Sequence, residues 1–181
     1  MENMKAVIYN KKAPGKLEFT SVEKPVAGDN ELLVKVVASS VNAADYRSMQ
    51  LGIIPKNRIF GADVSGRVET VGKNVTQFKP GDKVLGDLAD CGFGGFAEYV
   101  AAPQKAWALK PDCLSFEDAA ALPLAGVTAL QALRNKGKIS QGQKVLVAGS
   151  GGGVGTMAIQ LARHFGAEVT AVCSTKNVEQ S

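Results

Sequence analysis

Apolar and polar residues alternate along three early stretches of the chain, and each stretch predicts a strand. Lys5 to Tyr9 is the opening one. Leu32, Val34, Val36 and Ala38 alternate with Leu33, Lys35, Val37 and Ser39, the period-two pattern of a strand with two differently buried faces. Val64, Gly66, Val68 and Thr70 alternate with Ser65, Arg67, Glu69 and Val71 in the same way. Pro25, Gly28-Asp29, Gly72 and Pro80-Gly81-Asp82 separate these runs with turn chemistry. Short strands with Gly and Pro at the corners predict a compact antiparallel barrel.

The period changes near Ser115. Ser115 followed by Asp118 resembles a helix cap and leads into Ala119 to Leu122, with Pro123 expected to interrupt the helix. A second helix is predicted from Gly126 to Asn135, closed by Gly137. Lys144 to Ala148 is a short apolar run of the kind buried on both faces of a sheet. It enters the loop Gly149-Ser150-Gly151-Gly152-Gly153-Val154-Gly155. A helix follows, with Val154, Ala158, Leu161 and Phe165 on one face, and Gly166 is placed to end it. Glu168 to Cys173 reads as the next strand. This is one βαβ unit, the opening of a doubly wound sheet. The fold class is therefore β followed by α/β, with expected domains over 1–123 and 124–181. A full dinucleotide-binding sheet has about six strands, so the second domain is expected to be incomplete, truncated at its carboxyl end. On its own the 181-residue protein is expected to be weak or inactive as a catalyst.

Composition narrows the function classes. The 181 residues carry 45% hydrophobic and 21% charged residues, which argues against disorder. The net charge of +4 is spread without a basic stripe or interleaved aromatics, so nucleic-acid binding is not expected, whereas an anionic cofactor suits it. Cys91, Cys113 and Cys173 are an odd number at wide spacing, which opposes a disulfide scaffold or a zinc-ribbon cluster. No stretch has the length of a signal peptide or a membrane span. The expectation is a cytoplasmic protein with no membrane partner.

The glycine loop carries the clearest chemistry. Gly149, Gly152 and Gly155 provide a tight turn, a close backbone approach for a pyrophosphate, and close packing of helix on strand. Ser150 stands where the stricter pattern has a glycine. The helix amino terminus then offers unpaired N–H groups and a positive dipole end. An apolar strand before the loop and an amphipathic helix after it supply the context the motif needs. Ser150, Gly152, Gly153, Val154 and Gly155 are the expected dinucleotide-binding residues. At the end of the second strand an NAD-binding protein places Asp or Glu; here Cys173 leads into Ser174, Thr175 and Lys176. Ser174 and Lys176 offer a hydroxyl and an ammonium to a 2′-phosphate, so NADPH is the expected cofactor. The alternative is that Lys176 is a solvated loop lysine.

Val145 to Gly155 (VLVAGSGGGVG), Ala167 to Lys176 (AEVTAVCSTK), Gly94 to Val100 (GGFAEYV) and Val41 to Arg47 (VNAADYR) resemble the medium-chain dehydrogenase/reductase family, in particular its quinone oxidoreductase-like members. The resemblance covers essentially the whole sequence. It implies a GroES-like barrel followed by a Rossmann domain, an active site in the cleft between them, and a full-length form that is a homodimer. It also places the cysteine zinc-ligand position of the zinc-dependent branch on Asn42 and the histidine position on Ala62, with Asp63 in place of the usual Glu. Alanine cannot ligate a metal, so no metal is expected. Without a Lewis acid, hydride transfer to a quinone, enone or enal is favoured, since its charge develops on an enolate-like oxygen that hydrogen-bond donors can stabilise. Asn42, Asp45 and Tyr46 are the candidate catalytic residues acting on this small electrophilic substrate, and Thr128 stands where family members approach the nicotinamide. Other roles remain open: a structural cap for Asp45, barrel packing for Tyr46, and a back-bonded helix threonine for Thr128. A non-catalytic nucleotide-binding or structural protein is the rival from another class.

Overall fold

The structure, a computed structural model, describes Glu2–Ser181. It divides into two compact units, the first ending at Pro123 and the second spanning Leu124–Ser181. In the first, β1 (Asn3–Tyr9) pairs antiparallel with β2 (Leu17–Glu23) in a register running from Asn3–Glu23 to Tyr9–Leu17. β3 (Glu31–Ser40), β4 (Asp63–Val71), β5 (Lys83–Asp87), β6 (Tyr99–Pro103) and β7 (Trp107–Leu109) form an antiparallel sheet in the order β6-β3-β4-β5-β7. Bridges Ala6–Ala97 and Ile8–Ile59 stitch β1 to the segments beside this sheet. α1 (Ala43–Gln50) lies between β3 and β4 in sequence.

The core of this unit is built by β3, β4 and β5. Leu32, Val34, Val64, Val84 and Leu88 are fully buried around Phe78, Val100 and Trp107, and a smaller cluster joins Met4, Ala6, Ile8 and Ile59. The expected alternation in β3 holds only beyond Val34, because Leu32, Leu33 and Val34 are all buried. A register shift between Leu33 and Val34 in the pairing with β4 breaks the period there, as a bulge does. α2 (Phe116–Ala120) packs on β3 and β4, and the Ser65 hydroxyl donates to the Phe116 carbonyl. Ser115 caps α2 as expected, its Oγ accepting the Asp118 N–H at 2.9 Å. Pro123 opens α3 (Pro123–Leu130), however, three residues ahead of the expected start. Proline suits the first helical position, where its missing N–H would have no partner. The stretch Gln131–Lys136 then continues with the wider turn of a π-helix.

In the second unit β8 (Lys144–Ala148) pairs parallel with β9 (Glu168–Val172), and α4 (Gly153–His164) connects them. β9 stops at Val172, leaving Cys173 outside. Burial of β8 on both faces is not found: Val147 is buried, but Leu146 is 68% exposed. A strand is buried on both faces only where layers cover each of them. The buried positions of α4 are Gly155 and Ala162, while Val154 is 43% exposed. Ala158, Leu161 and Phe165 of the expected stripe are half-buried, so the expectation fails at Val154, beside the Gly155 that faces the glycine loop. Gly166, at φ 77°, ends α4: its N–H donates to the Arg163 carbonyl and that of Ala167 to Ala162. His164 is exposed at that end. Among the described residues no helix is long and apolar enough to cross a membrane.

Candidate functional site

The glycine loop joins the carboxyl end of β8 to α4. The N–H groups of Gly149 and Ser150 both donate to the Val172 carbonyl, at 2.9 and 3.0 Å, which ties the loop to the end of β9. Gly149 has φ 77°, a left-handed conformation that favours glycine. A Cβ at Gly155 would lie 2.7 Å from the Ser150 Cα and closer still to the Gly149 carbonyl oxygen, so only glycine lets the helix seat on the loop. Gly152 and Gly153 are different. A Cβ at either would meet nothing nearer than 3.5 Å, so no neighbouring atom of the protein requires glycine there. Their open backbone leads into the first turn of α4, formed by Gly153, Val154 and Gly155. N–H groups of a first turn have no intrahelical acceptor. This is the geometry of an anion cradle, and it fits a dinucleotide diphosphate.

Ser150 lies inside the loop rather than on its surface. It is 1% exposed, and its hydroxyl is paired with that of Ser181 at 3.1 Å. Its carbonyl accepts from the Thr156 hydroxyl at 3.3 Å. Ser174 precedes and Lys176 lies within the short turn Thr175–Asn177 that follows β9, and both are exposed. No carboxylate stands at this strand end before Glu179. The turn lies beside the glycine loop through Asn177, whose side chain packs against Gly151. Asn177 has no signature in the sequence, since its role depends on the tertiary fit alone. Thr128 is on the exposed side of α3.

Asn42, Asp45 and Tyr46 belong to the first unit, at the start of α1. Asp45 is 3% exposed, and its carboxylate is a bracket. One oxygen accepts the Asn42 N–H at 2.7 Å; the other accepts those of Gly61 and Ala62, at 2.9 and 3.1 Å. The Asn42 amide nitrogen donates to Ser40 Oγ at 3.1 Å and to Asp63 Oδ2 at 3.0 Å. Asp63 is fully buried and accepts from the Ser40 hydroxyl as well. The expected Asn42 donor is therefore spent inside the protein, in a hydrogen-bonded trio of the partly buried Ser40 and Asn42 with the fully buried Asp63. Tyr46 takes no part in these bonds. It is 44% exposed and lines a cavity of about 140 Å³ with Leu17, Val41, Met49, Phe60 and Phe96.

Asp87 ends β5 opposite Asp63 in the strand register. Burial pushes its carboxyl above the usual range, the charges of Asp90 and Asp45 add to this, and the Ala89 N–H opposes it. Burial likewise pushes the Cys91 thiol up, which keeps it in its unreactive protonated form. Among the described residues no group of three or more His, Cys, Asp or Glu side chains can hold a metal ion.

Residues 28–112 match the family profile described as the alcohol dehydrogenase GroES-like domain. The protein is 40% identical to a chloroplast envelope quinone oxidoreductase homolog of Arabidopsis thaliana, over 97% of its own length and 57% of that relative. It is 42% identical to a 2-methylene-furan-3-one reductase of Solanum lycopersicum, over 91% of its own length and 45% of the relative. The fold matches the solved quinone oxidoreductase of Coxiella burnetii with a TM-score of 0.88 at 35% identity, covering 99% of this protein and 59% of that one. The chain spans about half the length of the curated relatives it matches.

Proposed function

We propose that this protein is a member of the medium-chain dehydrogenase/reductase family, as its similarity to the alcohol dehydrogenase GroES-like domain and to quinone oxidoreductases supports, and that it serves an NADPH-dependent, zinc-independent transfer of hydride to a quinone, enone or enal. The observation that carries the reading is the pair Gly152 and Gly153, uncrowded by the protein itself, at the head of a twelve-residue helix. The strand end beside it offers Ser174 and Lys176 in place of an acid.

Bound NADPH supplies the hydride from its dihydronicotinamide ring. The backbone N–H groups of Gly153, Val154 and Gly155, with the dipole of α4 behind them, hold the diphosphate. The Ser174 hydroxyl and the Lys176 ammonium hold the 2′-phosphate, which the carboxylate of an NAD-binding protein would repel. Asn42 and Asp45 act by position: they fix the amino end of α1 and so the ring of Tyr46 that follows them. The Tyr46 hydroxyl donates to the oxygen on which enolate charge develops, and the apolar cavity beside it accepts the carbon skeleton. The names of the two plant relatives support a quinone or conjugated-ketone substrate. A cytoplasmic location and a homodimer belong to the same proposal for the whole protein.

Calorimetric titration of the protein with NADPH and NADH tests the cofactor. NADPH should bind at least about tenfold more tightly, the worth of one charge-assisted contact, and Ser174→Asp should reverse the order. Equal or tighter NADH binding by the parent protein sinks the NADPH assignment. The commitment of the Asn42 donor to Asp63 favours a second reading, a nucleotide-binding protein without turnover. NADPH oxidation across a panel of quinones and enals separates the two.

A further inference from the structure

Gly149 and Gly151 are glycines for different reasons. Gly149 needs its left-handed backbone and has open space around it. Gly151 is not left-handed, yet a Cβ there would lie 2.6 Å from both Cβ and Cγ of Asn177 and closer still to its Nδ2. The missing methyl is the space that the Asn177 side chain fills.

Asn177 is no loose surface residue. It closes the turn Thr175–Asn177, its N–H donating to the Ser174 carbonyl at 2.9 Å, while its own carbonyl accepts the Ser181 N–H at 3.0 Å. Lys176 lies inside that turn. On the other side, Gly151 is gripped between Ser150, whose N–H is bonded to Val172, and Gly152, whose N–H donates to the Gly149 carbonyl at 3.1 Å. Both partners are thus held in hydrogen-bonded backbone, so a change of fit at their contact must move one of the two segments bodily.

We propose that the seating of Asn177 against Gly151 sets the position of Ser174 and Lys176 relative to the glycine loop, making Asn177 and Gly151 positioning residues for nucleotide selectivity. The proposal rests on the NADPH reading above. The diphosphate cradle is made by residues 152–155 and does not involve the notch, whereas the 2′-phosphate donors are carried by the turn. Hydrogen bonds weaken steeply with misalignment, so displacement of the turn costs the nucleotide bearing the 2′-phosphate and spares the other.

Gly151→Ala, Asn177→Gln and the double variant Gly151→Ala/Asn177→Ala test it, by amide NMR without nucleotide and by titration with NADPH and NADH. Gly151→Ala should move the Ser174 and Lys176 amide resonances and lower the NADPH-over-NADH preference about tenfold, with NADH affinity held within about twofold. The double variant, which trims the side chain that the new methyl strikes, should recover both. Asn177→Gln overfills the same notch from a surface turn and should reproduce the displacement, which keeps the test decisive if Gly151→Ala does not fold. Unmoved Ser174 and Lys176 amides in these variants overturn the proposal, as does a double variant no nearer the parent than Gly151→Ala. A parent protein with no NADPH preference sinks the nucleotide reading instead; amides that still shift then uphold the fit.

Discussion

The two sheets of this protein use similar apolar residues to different effect. β3, β4 and β5 of the first unit lie inside a five-stranded sheet, and Leu32, Val34, Val64 and Val84 there are completely buried. β8 and β9 of the second unit pair only with each other among the described residues; Val147 is buried, while Leu146 and Val172 are 68% and 50% exposed. Strand propensity is alike in both, so an apolar run makes a strand without making a core. Burial comes from neighbours, and the first sheet has more of them beside its strands and over its faces. The same contrast runs through the polar groups. Asp45 and Asp63 are buried and bonded in the first unit, whereas Ser174 and Lys176 of the second stand in solvent. Buried polar groups must find protein partners, and exposed ones are left available for a ligand.

The largest effect should come from breaking the buried bracket. Asp45→Ala strands three backbone N–H groups and is expected to cost roughly 3–6 kcal/mol, read as loss of the folded baseline in urea titrations. Next, Leu32→Ala should cost about 3 kcal/mol, while Leu146→Ala stays within about 0.5 kcal/mol. Trp107 is the one tryptophan and sits in the first unit's core, so its fluorescence follows that unit directly. A Leu146 variant that shifts the Trp107 transition as far as Leu32→Ala would erase the contrast. The smallest effect belongs to Asp87. Its folded-state value lies above the ordinary 3.8, so the folded protein binds the proton more tightly than the unfolded chain does. Its stabilising contribution is full below 3.8 and is lost as the pH rises through the raised value. Asp87→Asn should flatten the fall of stability across that window, and only slightly, because the group is half-exposed and screened. An unchanged pH profile would remove Asp87 as a source of that slope.

Much of the fold can be read along the sequence because its signals are local. Alternation marks β3 and β4, Ser115 with Asp118 marks the start of α2, and Gly166 marks the end of α4. The reading slips where a residue answers to a partner far away. Pro123 looks like a break and is a start. Val154 has the spacing of a core residue and is exposed; it is Gly155 beside it that faces Gly149. At the candidate site the glycine loop is legible for the same local reason, as is the cap that Asp45 gives the Asn42 N–H three residues away, whereas the longer-range bonds of Asn42 and Asp45 are not. Their partners Asp63, Gly61 and Ala62 are 16 to 21 residues away, and no spacing rule links a helix cap to a later strand.

The sequence by itself determined the kinds of element, their order, and the strand–glycine loop–helix motif, because backbone hydrogen bonding and side-chain period act over a few residues. Only the tertiary structure decided which apolar faces are covered, which polar groups are spent on the protein, and that Gly151 is a notch for Asn177. Those outcomes depend on atoms brought together across tens of residues, where the space left by one side chain is defined by another.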